Sequence, residues 1–177
     1  AYIWDFNNNF NFANPGANKN LELTTIKVEG TNENNFFKSD YDNSNVTKHS
    51  SYLSNIAIAF PLSPKVKFGM GYQPYSSKKY SVLIQEDLAD EVKRASIFRG
   101  EGTLSTVQAA LSYQISPEFG LGFRTNFYFG NLYDINELTY SNAELINGYE
   151  TKNKIKTFNF TLGSAYQKKF GNDRKFT

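Results

Sequence analysis

The chain has 177 residues, of which 40% are hydrophobic and 16% aromatic, and its formal net charge is +2. This balance of charge gives no indication of nucleic-acid binding, whose proteins carry a concentrated basic face, and the absence of cysteine excludes a disulfide framework, a thiolate nucleophile and a cysteine-based metal site. No stretch approaches the roughly 18 continuous apolar residues of a membrane-spanning helix, whereas a transmembrane barrel remains open because its alternating strands average to a polar hydropathy.

In chain order, the sequence begins with an asparagine-rich stretch, Ala1 to Asn20, which contains the turn-forming Asn-Pro-Gly and predicts an irregular leader. Alternation of apolar and polar residues then starts at Leu21 and recurs along the rest of the chain, as in β-strands. A change of apolar parity near Thr24 and Thr25 predicts a β-bulge in the first strand. The alternation predicts six strands, at residues 21–31, 51–60, 66–73 with a resumption at 80–84, 106–115, 119–130 and 154–167.

The connections between these strands alternate in length. Those after the second, fourth and sixth strands are short, whereas those after the first, third and fifth run to roughly twenty polar residues, beyond ordinary hairpin loops. An antiparallel sheet with this asymmetry carries its long loops at one end, which is typical of outer-membrane barrels. We therefore expect residues 21–177 to form an all-β, antiparallel transmembrane β-barrel with short periplasmic turns and long extracellular loops. A soluble β-sandwich that acts as a binding module is the alternative.

One face of the predicted sheet is apolar and the other is small or polar. In the fourth strand Val107 and Leu111 alternate with Gln108 and Ser112, so we expect the first set to meet lipid and the second to line a lumen. Glycine either marks a bend of the strand or leaves space in which the leader acts as a periplasmic plug. The small lumen positions cluster near the short turns, at Gly69, Gly71, Gly120, Gly122 and Gly163.

Polar side chains share the predicted lumen face at four positions, Gln108, Arg124, Asn126 and Asn159. They either hydrogen-bond to one another and to water, or Arg124 receives an anionic head group such as a carboxylate. No catalytic residue is expected, because His49 is the only histidine and its neighbouring serines are too close in sequence for a Ser-His-Asp triad. Neither a metal site nor a cofactor is indicated, so the protein is not predicted to be an enzyme.

Three stretches of the chain resemble a known family: NFANPGANKNLELTT before the first strand, AIAFPLSPKVKFGMGYQPYSS across the first short turn, and GEGTLSTVQAALSYQISPEFGLGFRTNFYFG. They are similar to the FadL-type transporters of long-chain fatty acids and hydrophobic compounds, particularly Bacteroidetes members, and Asn14 and Pro15 match that family's Asn-Pro motif. The resemblance implies a fourteen-stranded barrel with an N-terminal hatch, located in the bacterial outer membrane, that takes up hydrophobic small molecules passively.

Six strands are fewer than the minimum of about eight that closes a single-chain bacterial barrel. We therefore expect the chain to cover only the N-terminal half of the barrel. The expected partners are outer-membrane lipid, a hydrophobic small-molecule ligand and other outer-membrane protein subunits, with no nucleic acid. A second function stays open beside transport: a structural or interaction barrel that is a subunit of a larger outer-membrane complex, such as the type IX secretion translocon.

Overall fold

Six long β-strands make up most of the described chain. The computed structural model describes residues 9–38, 45–88, 92–143, 146–170 and 174–176. The six strands are β1 Thr25–Lys38, β2 Asn45–Pro61, β3 Val66–Asp87, β4 Lys93–Gln114, β5 Phe119–Tyr140 and β6 Asn147–Tyr166. Each is hydrogen-bonded to its neighbours in sequence, giving one antiparallel sheet in the order β1 to β6. Two three-residue strands, β7 Lys168–Phe170 and β8 Arg174–Phe176, form a separate pair.

The prediction of an all-β, antiparallel fold with six main strands is confirmed. All six lie in one sheet, so the described residues provide no second large sheet, which a β-sandwich would require. Within the described part of the chain, a membrane-spanning helix is absent.

The strands are longer than the hydrophobic alternation predicts. β3, β4 and β5 have 22 residues each, so most of the polar links predicted after the first, third and fifth strands are strand and not loop. Alternation marks only the part of a strand where the two faces differ in polarity. Where asparagine, serine and lysine occupy both faces the contrast disappears, although the backbone still pairs. The expectation of long loops is corrected accordingly.

The irregularity in β1 lies farther along the strand than the predicted bulge. The pairing of β1 with β2 shifts register between Glu29 and Gly30, which leaves Ser54 of β2 out of the pairing. The change of apolar parity that predicted a bulge instead reflects the start of the strand. Leu21, which precedes β1, is 1% exposed, whereas Ile26 inside β1 is 71% exposed.

The chain divides into two compact units. Unit 1 comprises Ala1–Gln73, Val107–Asn126 and Asn159–Thr177, and unit 2 comprises Pro74–Thr106 and Phe127–Phe158. Strands β3 to β6 therefore contribute residues to both units. Unit 1 contains the two short turns that follow β2 and β4, and the segment that precedes β1 belongs to it as well.

In unit 1 the two faces of the sheet differ in polarity in the sense opposite to that of a water-soluble sheet. One face, the exposed apolar face, presents Ile56, Met70, Val107, Leu111, Leu121, Phe123, Phe160 and Leu162. The other, the covered face, buries Ala57, Ala59, Gly69, Gly71, Gln108, Ala110, Ser112, Gly120 and Asn126. The buried hydrophobic cluster is correspondingly small and consists of Phe10, Leu21, Ala59 and Ala110. Most large apolar side chains of this sheet therefore lie on its surface.

In unit 2 a polar network crosses from β3 to β5 over β4. The Tyr80 hydroxyl donates a hydrogen bond of 3.0 Å to Asp134 Oδ1, and the Lys78 ammonium pairs with the same oxygen. The Tyr80 ring lies where a side chain on Gly100 would stand, so glycine lets the ring pass over the intervening strand. The hydrogen bonds from Lys78 and then from Tyr80 hold the pKa of the Asp134 carboxyl below its usual range.

Candidate functional site

The N-terminal segment, residues 9–22, lies on the covered face of unit 1. Three of its side chains, Pro15, Asn18 and Leu21, are less than 2% exposed. The segment precedes β1 and is not itself a strand. Residues 1–8 of the predicted leader lie outside the described residues. The described part of the leader thus packs against the small residues of the sheet.

Asparagine side chains fix the conformation of the N-terminal segment. The Asn14 N–H donates to Asn11 Oδ1 at 3.0 Å, and the Gly16 N–H donates to Asn14 Oδ1 at 3.1 Å. Asn18 Nδ2 donates to the carbonyl oxygens of Asn11 and Pro15 at 3.2 and 3.1 Å. Such local bonds from side chain to backbone replace the partners that a neighbouring strand would supply. Asparagine richness here therefore specifies a folded turn structure.

Glycines of the sheet allow the backbone of the segment to approach closely. A Cβ atom on Gly120 would lie 2.5 Å from the Gly16 carbonyl oxygen, and one on Gly122 would lie 2.6 Å from the Gly16 nitrogen. A Cβ atom on Gly163 would lie 2.5 Å from Asn14 Oδ1. These distances are shorter than van der Waals contact, so a larger residue at any of the three sheet positions would displace the segment.

The two remaining glycines of the predicted set have different neighbours. A Cβ atom on Gly69 would lie 2.8 Å from the ring of Phe10, whose centroid is 4.8 Å from that of Phe12. Gly71 instead faces Ala57 Cβ and Gln108 Nε2, which would lie 3.2 and 3.4 Å from an added Cβ atom. Four of the five glycines therefore border the segment, and Gly71 lies beside residues of adjacent strands.

Arg124 and Asn14 link the segment to β5 and β6. Arg124 Nη1 donates to the Phe12 carbonyl oxygen at 2.6 Å, and its Nη2 donates to Thr161 Oγ1 at 3.2 Å. Asn14 Nδ2 donates to the Ser164 carbonyl oxygen at 3.1 Å. The sequence singled out Arg124 and Asn14, but it contained no signal for their acceptors, two of which are backbone carbonyl oxygens.

The other residues singled out from the sequence lie in contrasting surroundings. Gln108 and Asn126 are each 4% exposed on the covered face. Asn159 is exposed, although it shares the strand parity of Thr161, because β6 is at the edge of the sheet. His49 is exposed too, and its Nδ1 lies 2.6 Å from Asn34 Oδ1. Within the described ranges no three histidine or acidic side chains lie close enough together to hold a metal ion.

Two cavities border the N-terminal segment. The smaller, of about 230 Å³, lies beside the short turn after β4 and is lined by residues that include Lys19, Gln114, Glu118 and Tyr166. The larger, of about 540 Å³, lies against residues 9–13 of the segment. Its remaining lining is polar and consists of Lys27, Glu29, Asn55, Gln73, Gln108 and Arg124.

Comparison with known proteins identifies one family. The family model described as BamG matches residues 3–177, which is nearly the whole chain. No curated protein and no solved structure matches the chain.

The BamG match overturns the resemblance to FadL-type transporters, because the two families are unrelated. Passive uptake of hydrophobic compounds is therefore the wrong function. The resemblance misled because alternating strands and short turns are common to outer-membrane sheets in general, and the short Asn14-Pro15 motif does not single out one family. The second function predicted from the sequence, a subunit of a larger outer-membrane complex, fits the BamG match better.

Proposed function

Because the chain belongs to the BamG family, we propose that it is a structural or interaction subunit of the BAM complex, without catalytic activity of its own. Membership indicates an outer-membrane-associated location, in agreement with the location predicted from the sequence. The BAM complex takes the place of the type IX secretion translocon as the assembly concerned.

The exposed apolar face is the observation that carries this proposal. Its eight side chains range in exposure from 39% at Val107 to 83% at Leu162. Burying one large apolar side chain contributes about 1.5–3 kcal/mol, so the burial forgone over the whole face is on the order of 10 kcal/mol, comparable to the stability of an entire domain. A face of this size and character is expected to be covered by lipid or by another protein.

The ends of the strand order set a condition for coverage of this face by lipid, which is that the sheet be closed. β1 and β6 are the two edge strands, and open strand edges are not tolerated in lipid. We infer that the strand portions in unit 1 cross the outer membrane as part of a closed antiparallel barrel. The N-terminal segment is then a plug at the periplasmic end, beside the short turns, and the remaining barrel surface contacts the partner subunits.

Site-specific photo-crosslinking tests the subunit role. A photoreactive phenylalanine analogue is placed at Leu111, on a central strand, and at Leu162, on the edge strand β6; both side chains belong to the exposed apolar face. The same analogue at Gln108, which is 4% exposed, is the matched control. We expect a cross-link to another outer-membrane protein from at least one apolar position and none from Gln108.

The subunit role is contradicted if neither apolar position yields a protein cross-link and the chain migrates alone after extraction in a mild detergent. Alkaline washing of isolated membranes tests the barrel independently. An integral barrel stays in the membrane pellet. Release of the protein by the wash, with cross-links retained, would overturn the membrane-spanning inference and leave the subunit role intact.

A further inference from the structure

The larger cavity of unit 1 has the dimensions of a small-molecule site. Its volume of about 540 Å³ falls within the roughly 300–1,000 Å³ that such sites occupy. One wall is formed by residues 9–13 of the N-terminal segment, including the apolar residues Phe10, Phe12 and Ala13. The other walls are polar side chains of the sheet. The cavity therefore offers an apolar side and a polar side to one occupant.

The charges that line this cavity do not cancel. Lys27 Nζ lies 2.7 Å from Glu29 Oε1, and Asn55 Nδ2 donates to the other carboxylate oxygen at 3.0 Å, so Glu29 is neutralised locally. Arg124 donates to two neutral acceptors, the Phe12 carbonyl and the Thr161 hydroxyl. None of the ion pairs formed among the described residues includes Arg124. The lining keeps one uncompensated positive charge, which an anion would relieve.

Unused hydrogen-bonding groups lie beside that charge. A guanidinium carries five N–H donors, and the Phe12 carbonyl and the Thr161 hydroxyl engage two of those of Arg124, which is partly exposed. The Gln108 side chain lines the cavity at 4% exposure and offers a carboxamide with two N–H donors. A carboxylate presents two acceptor oxygens in a plane, which suits donation from a guanidinium and a neighbouring amide.

We propose that this cavity binds a small organic carboxylate. The carboxylate accepts hydrogen bonds from an Nη N–H of Arg124 and from the Gln108 amide, while its apolar body packs against Phe10 and Phe12 of the N-terminal segment. This site does not rest on the proposed role in the BAM complex, since its lining lies on the covered face of unit 1 and that role rests on the exposed apolar face.

Fluorine NMR on the full-length protein in detergent micelles tests the proposal with two probes of one shape. The probes are 4-fluorobenzoate, which carries the carboxylate, and 4-fluorobenzamide, its neutral analogue. We expect the carboxylate to bind about tenfold more tightly or better, because only it compensates the Arg124 charge. Equal affinities of the two probes, or no binding of the carboxylate, would overturn the proposal.

Variants locate the binding to this cavity. Arg124→Met is expected to abolish the preference for the carboxylate, but it also removes the bond to the Phe12 carbonyl. Gln108→Leu leaves that bond in place and is expected to weaken carboxylate binding about tenfold. Ser112→Ala, on the same strand and equally buried face but outside the cavity lining, is expected to bind like the wild type. Undiminished binding by Gln108→Leu would contradict the assignment.

Discussion

Gly122 illustrates how closely the sheet and the N-terminal segment approach each other. A Cβ atom on this residue would collide with the carbonyl carbon of Pro15 and lie 2.6 Å from the Gly16 nitrogen. Gly30, a glycine of β1 in the same unit, has only the Tyr52 carbonyl oxygen near its Cβ position, at 3.9 Å. The two glycines are therefore a matched pair, one in contact with the segment and one with room for a methyl group.

Gly122→Ala is expected to destabilise the docked segment by about 1–3 kcal/mol, the usual cost of overpacking. The methyl group would meet backbone atoms, which cannot move aside as the end of a flexible side chain can. The rate at which a protease cleaves within residues 9–22 measures this loss. Gly30→Ala is the control, expected to be cleaved at close to the wild-type rate. Equal cleavage of the two variants would show that Gly122 does not govern docking.

Asp134 makes the stability of unit 2 depend on pH. Hydrogen bonds from Lys78 and then Tyr80 hold its carboxyl pKa below the usual value of 3.8. The carboxylate therefore stabilises the folded state above the unfolded-state pKa, and this contribution is lost as the pH falls through the folded-state pKa. We expect the wild type to melt at a higher temperature than Asp134→Asn at neutral pH, and the two melting temperatures to converge on acidification. A difference independent of pH would rule out a role for the charge.

The sequence predicted on which face of the sheet the small and polar residues lie, but it could not predict most of the groups that these residues contact. Alternation in β5 separates Gly120 and Gly122 from Leu121, and the structure has the same separation. One acceptor of Arg124, however, is the carbonyl oxygen of Phe12, 112 positions away in the chain. Every residue has a carbonyl oxygen, so no side-chain pattern distinguishes the one that is used.

The N-terminal segment is an element whose order depends on one buried asparagine. Asn18 is 1% exposed. Its Oδ1 accepts a hydrogen bond of 2.5 Å from the Asn11 N–H, and its Nδ2 donates to the carbonyl oxygens of Asn11 and Pro15. Three hydrogen bonds thus join the two ends of the turn through a single side chain.

Asn18→Ala is expected to loosen the segment without unfolding the sheet. Removing the side chain leaves buried backbone groups unpaired, at a cost of about 1–3 kcal/mol each. Hydrogen exchange of the Ala17 amide, which donates to the Asn14 carbonyl oxygen at 3.0 Å, should accelerate, while exchange in β4 stays slow. Leu23→Ala, a change at a side chain that is 63% exposed, is the control. Faster exchange throughout β4 would instead indicate global destabilisation.

Strand positions were predictable where burial differs between the two faces, and strand ends were not. In β3 the alternation runs from Val66 to Tyr72 and again from Tyr80 to Ile84, but the strand is continuous to Asp87. Its far half is exposed on both faces almost throughout, even at the apolar Val82 and Leu83, so burial does not distinguish the two faces there. Pairing there depends on the backbone and on neighbouring strands, neither of which is visible in side-chain periodicity.

For the molecule as a whole, the sequence pattern predicted which face of the sheet is apolar and exposed, but it did not predict the protein family. Val107 is 39% exposed and its neighbour Gln108 4% exposed, so the apolar side chain is the outer one, as its place in the alternation indicated. That arrangement follows from the solvent in which a sheet folds, and unrelated outer-membrane proteins share it. The BamG match over residues 3–177 depends instead on the particular residues along the chain, which periodicity does not use.

The strict alternation between the exposed apolar face and the covered face limits how these strands can change in length. One residue inserted into β4 between Ala110 and Leu111 would exchange inside for outside at every following position of the strand. Two inserted residues would lengthen the strand and keep both faces. Insertions of an even number of residues are therefore tolerated, whereas an odd-numbered insertion requires a β-bulge at which the pairing register shifts. The register shift at Glu29 and Gly30, where Ser54 is left unpaired, is such a site.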